Sequence, residues 1–83
     1  MAPFLVYTMN EIQFTAVLAG KPRDIVIMKV SGGNGVWHLM IDNYYYGKFA
    51  YTERGWEFHP QKPEKFTPET VEMLLEKMRE VVP

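Results

Sequence analysis

Cysteine is absent from this chain. Disulfide staples, thiolate metal ligands and thiol nucleophiles are thereby excluded, and so is the covalent framework common in small secreted domains. Serine occurs once, at Ser31, and histidine twice, at His38 and His59, which leaves little material for a nucleophile and its activating base. Charge of one sign is missing as well. The formal net charge is −1 and the isoelectric point is near 6.1, so no global basic field attracts nucleic acid or anionic lipid. No stretch approaches the ~18 apolar residues that a membrane-spanning helix needs. Residues 1–9 carry neither the basic stretch nor the long apolar run of a secretory signal. The chain reads as a soluble, cytoplasmic protein without membrane partners.

Large apolar side chains are plentiful. Among 83 residues, 47% are hydrophobic and 14% aromatic, which marks a folded chain of one domain spanning 1–83. At this size one core is only marginally stabilising, and association would add to it. Residues 1–11 read as a short strand or arm. Ile12 to Ala19 alternates in the manner of a strand, and Gly20-Lys-Pro-Arg-Asp24 supplies turn chemistry. Ile25 to Val30 is a β-branched run. Ser31-Gly-Gly-Asn-Gly35 is a glycine-rich hairpin loop, followed by a strand from Val36 to Ile41. Asp42-Asn43 suits a tight two-residue turn, because both residues tolerate the left-handed region. Tyr44 to Tyr51 is a further strand, with Gly47 as a bulge or a point of close approach. Thr52 to Gly55 closes another hairpin, and Trp56 to His59 is a short last strand. The antiparallel sheet therefore occupies 12–59, and Pro60 and Pro63 open a linker over 60–66.

The helix that follows, over 67–82, is well marked. Thr67 is a suitable N-cap, Pro68 fits the first helical position, and Glu69 complements the positive end of the helix. Val71, Leu74, Leu75, Met78 and Val82 recur at helical spacing, while Glu72, Glu76 and Glu80 form an acidic row on another face. The fold class is α+β: an antiparallel meander of about five strands, then one C-terminal amphipathic helix packed on one sheet face.

Pairing Ile41 with Tyr44 and Met40 with Tyr45 across the Asp42-Asn43 turn, and carrying that register outward, sorts the strand residues into two sets. Val26, Met28, Val30, Val36, His38, Met40, Tyr45, Phe49, Tyr51, Trp56 and Phe58 form one. Phe14, Leu18, Ile25, Ile27, Trp37, Leu39, Ile41, Tyr44, Tyr46 and Ala50 form the other, together with Lys29, Lys48, Glu57 and His59. The first is the more uniformly apolar and is expected to meet the helix. The second would then be uncovered and large enough to seek a partner. Its candidate interface residues are Trp37, Leu39, Ile41, Tyr44, Tyr46 and Lys48. On that assignment Leu39→Lys would leave the protein folded and abolish self-association. Residues 1–11 and the 60–66 segment folding across the same face are the intramolecular alternative.

Other constellations point less far. His38 and His59 have no cysteine and no clustered carboxylates near them, so no metal is expected. Ser31-Gly-Gly-Asn-Gly35 lacks the lysine and helix of a phosphate-binding loop. The carboxylates are scattered, and no cofactor or catalytic activity is expected. Lys29, Lys48, Tyr44, Tyr46 and Trp37 could serve a single-stranded nucleic acid through stacking and phosphate contacts. Trp37 and Tyr46 could instead stack on a small molecule or sugar. A strand-rich body followed by a C-terminal helix resembles, in element order, the whirly-type single-stranded-DNA-binding proteins, which form dimers or larger assemblies. That resemblance implies nucleic-acid binding, against which the dispersed basic residues and acidic helix stand. The leading expectation is a non-catalytic interaction domain, a homodimer or the partner of another protein, with nucleic acid as the alternative.

Overall fold

A computed structural model describes residues 6–7, 10–30 and 35–81. Six strands form one antiparallel sheet in the order β1 to β6, each paired with its chain neighbour. They are β1 (Val6–Tyr7), β2 (Glu11–Leu18), β3 (Lys21–Lys29), β4 (Trp37–Ile41), β5 (Tyr44–Thr52) and β6 (Gly55–Pro60). A 3-10 turn at Pro63–Lys65 leads into helix α1 (Pro68–Val81). The expected α+β meander with a C-terminal helix is thus observed, with five long strands and one two-residue strand at the edge.

Local chemistry explains the connections. Asp42 and Asn43 adopt φ values of 51° and 70°, the left-handed pair that a two-residue hairpin turn needs to match strand twist. The β2–β3 turn is tighter than the sequence suggests. Ala19 and Gly20 form it, at φ 53° and 78°, and Lys21 to Asp24 belong to β3 instead of the turn. Pro22 is tolerated there because β4 reaches only as far as Ile25, so its missing N–H breaks no bond to β4. At the next hairpin the Thr52 hydroxyl donates to the Gly55 carbonyl at 3.1 Å and accepts from the Arg54 N–H at 3.1 Å. Only Gly35 of the glycine-rich loop is among the described residues. The Thr67 hydroxyl accepts from the Thr70 N–H at 3.2 Å, which caps α1 as its sequence requires.

The register departs from the simple propagation at one point. Ile41 pairs with Tyr44 and Met40 with Tyr45, but Leu39 pairs with Gly47. Tyr46 is therefore an extra residue, and β5 carries a bulge. A single inserted residue exchanges the faces of everything beyond it. Phe49, Tyr51, Trp56 and Phe58 consequently join Ile25, Ile27, Trp37, Leu39 and Ile41, while Lys48, Ala50, Glu57 and His59 move to the opposite side.

This corrects the face assignment. α1 lies on the Trp37–Leu39–Ile41 face, not on the Val26–Met28–Met40 face. Ile12, Ile25, Ile27, Leu39, Phe49, Leu74 and Met78 are completely buried in the resulting core, with Phe14, Trp37 and Ile41 almost so. Helix placement follows from where large apolar groups concentrate. Once the bulge aligns β5 and β6 aromatics with the β2–β4 aliphatics, one face is overwhelmingly apolar. At roughly 1.5–3 kcal/mol per large buried side chain, covering that face outweighs covering the mixed one. Phe66 seals the entry to α1, its ring edge-on to Phe58 at 5.0 Å and to Tyr46 at 6.1 Å. Of the expected 60–66 linker, Pro60 still belongs to β6, the Gln61 N–H donates to the Tyr46 carbonyl at 2.9 Å, and Phe66 lies on the helix side; of the expected arm over 1–11, residues 1–5 and 8–9 lie outside the described residues.

Candidate functional site

Among the described residues no element covers the other face of the sheet, and two of its cross-strand rows form its middle. One runs Gln13, Val26, Met40, Tyr45, and the next runs Glu11, Met28, His38, Lys48, His59. Met28 and Tyr45 are 38% and 39% exposed, and Val26, His38 and Met40 are half-buried among their neighbours. The His38 ring meets Tyr45 edge-on at 4.9 Å, which accounts for the histidine as a packing residue. His59 Nε2 lies 3.5 Å from the Glu57 carboxylate. The centre of this face is apolar. Its charges are set at the sides, with Glu11 on β2 and Lys48 on β5.

The structure separates the other residues singled out by sequence. Trp37, Leu39 and Ile41 are core residues beneath α1. Tyr44 is 72% exposed at the rim of the helix side, Tyr46 packs half-buried against Phe66, and Lys48 projects from the opposite face. The set Lys29, Lys48, Tyr44, Tyr46 and Trp37 therefore shares no single surface, and a buried Trp37 has no free ring face for a base or sugar. Val26, Met28, Met40 and Tyr45 are the surface residues that sequence reading assigned to the core. The signal that would have found them is Gly47, which marks the bulge.

A second feature lies at the end of the sheet where β3 meets the β4–β5 turn. Arg23 donates to Asp42 Oδ2 at 2.8 Å, and the Asp24 N–H donates to Asp42 Oδ1 at 3.0 Å. The Asp42 N–H in turn donates to the Asp24 carbonyl at 2.9 Å. The hydrogen bond from the Asp24 backbone, then that from Arg23, hold the Asp42 carboxyl below its ordinary value of 3.8. A folded-state value below the unfolded one means that the unfolded chain binds the proton more readily. The stabilisation is complete above the unfolded value and is lost as pH falls through the folded one. Asp42→Asn keeps a residue suited to the left-handed turn but has no titrating carboxyl. It is expected to flatten the dependence of Tm on pH below about pH 4. Thermal melts of both proteins across that range check this, and parallel profiles would refute it.

Beside this ion pair, Leu18, Ala19, Arg23, Ile41, Tyr46, Lys65, Phe66, Thr67 and Thr70 enclose a half-open cleft of about 370 Å³. Among the described residues no three His, Asp or Glu side chains gather as metal ligands, and no helix is long and apolar enough to cross a membrane. Comparison of the chain with protein-family models, with curated proteins and with solved structures gives no match, so the fold and its surfaces stand as the basis for function.

Proposed function

We propose that the protein is a non-catalytic interaction domain that self-associates through the uncovered face of its sheet. The supporting observation is the side-to-side asymmetry of that face. A two-fold axis parallel to the strands, between β3 and β4, sets Val26 over Met40 of a second copy and Met28 over its His38. The same operation brings Glu11 opposite Lys48 of the second copy, and the converse. Isologous contact requires this self-complementarity, and the geometry is that of two sheets packed face to face about 10 Å apart.

Sedimentation equilibrium at tens of micromolar is expected to give a dimer mass. Met28→Lys, on an exposed position, should retain the wild-type circular dichroism and thermal transition while shifting the mass to that of a monomer. It places an ammonium in the middle of the contact, where it would have to be desolvated without a partner. A wild-type monomer at those concentrations, or an unchanged dimer for Met28→Lys, would refute the assignment of this face.

A further inference from the structure

The cleft beside the start of α1 lies on the helix side of the sheet, away from the proposed contact face. Its floor is apolar, formed by Leu18, Ile41 and Phe66, and Tyr46 gives it an aromatic wall. The charged side chains that line it are of one sign, Arg23 and Lys65. They differ in freedom. Arg23 is held by its 2.8 Å bond to Asp42, whereas Lys65 makes no ion pair among the described residues and its Nζ stands 6.0 Å from the centre of the Tyr46 ring. Thr67 and Thr70 complete the rim, their hydroxyls 3.0 Å apart.

An apolar concavity with a few convergent polar groups is the general form of a small-molecule site, and about 370 Å³ lies toward the small end of that class. Lys65, which has no counter-ion among the described residues, selects an anion over a cation or a neutral sugar, whereas the charge of Arg23 is already met by Asp42. The apolar floor selects further: a bare hydrated anion gains nothing from Leu18, Ile41 and Phe66, while a molecule with a flat hydrocarbon body buries area there. We infer that the cleft binds a small carboxylate with a planar aromatic body, its carboxylate directed to Lys65 and its ring to Tyr46 and Phe66. The site does not depend on self-association and stays open in the face-to-face dimer.

Naphthoate and its neutral amide, naphthamide, titrated into the isotope-labelled full chain and followed by amide chemical shifts, test this. Naphthoate is expected to give saturable shifts at Lys65, Phe66, Thr67 and Thr70. It should bind about five-fold more tightly than naphthamide, the size of effect a partly exposed ion pair supplies. Lys65→Gln, at an exposed position, should remove that preference while leaving the rest of the spectrum in place. Thr70→Met, which fills the cleft, should weaken both probes. The proposal is overturned if naphthoate gives no saturable shifts up to its solubility limit, or if the shifts fall on Met28 and Tyr45 of the opposite face. Equal affinity for acid and amide would also overturn it.

Discussion

Leu39→Lys is expected to abolish the cooperative thermal transition and collapse the dispersion of the amide spectrum. Leu39 sits at the centre of the sheet, with Ile27 on one side and Gly47 on the other, and is completely buried beneath α1. Truncating such a residue costs about 2–5 kcal/mol through lost transfer energy and the cavity left behind. A lysine in its place adds an ammonium that must either stay unpaired in the core or shed its proton, at several kcal/mol more. A single core of this size supplies only about 3–5 kcal/mol of net stability, so the folded state does not survive. Met28→Lys is the matched control. It introduces the same charge one strand away on the other face, where the side chain is exposed, and is expected to remain folded. A well-dispersed spectrum for Leu39→Lys would mean that α1 does not cover this face.

Gly47→Ala is expected to lower stability by about 2–4 kcal/mol, read as a shift of the urea midpoint with an unchanged slope. Two independent constraints act at this residue. Its φ of 152° lies where side-chain-bearing residues are rarely found. A Cβ there would also stand 2.7 Å from the His59 carbonyl oxygen and 2.9 Å from the Pro60 Cα, both backbone atoms of β6 that cannot rotate away. Relief requires β6 to separate from β5 or the bulge to migrate. Moving the bulge beyond Phe49 would place Phe49 and its partner Phe58 on the opposite face. The variant should therefore also lose near-ultraviolet dichroism from the Phe49–Phe58 stack, whose ring centres are 4.8 Å apart. A midpoint within experimental error of wild type would show that this strand junction is pliable.

The elements of this protein are legible in its residues. Thr67-Pro68-Glu69 predicts the start of the helix, and the structure caps it there. Asp42-Asn43 predicts a left-handed two-residue turn, and both residues adopt it. Leu74 and Met78, picked by helical spacing, are the two helix residues completely buried. Each of these depends on interactions within a few residues, which is the range over which side-chain chemistry acts directly on the backbone. Ala19-Gly20 escaped for a related reason: alanine has no intrinsic preference for the left-handed region, and Pro22 in the following strand reads as a turn residue until its position outside the span of β4 is known.

The face assignment belongs to a different range. Alternation along β3 and β4 groups Ile25, Ile27, Trp37, Leu39 and Ile41 as the structure does, but alternation fails within β5, where Tyr44 and Tyr46 lie on the helix side and Lys48 and Ala50 on the other. What joins one strand to the next is register, and a one-residue bulge at Tyr46 inverts it for the rest of β5 and for β6. Gly47 signals that something happens there, but whether it bulges the strand or only admits a close neighbour depends on β6 packing 2.7 Å from where its Cβ would be. The sequence by itself therefore determined the order of the strands, the Asp42-Asn43 turn, the helix and its apolar stripe, because these are local. Which sheet face the helix covers, and hence which residues remain to meet a partner, was decided by the tertiary structure alone, because it depends on the summed apolar area that the bulge gathers on one side.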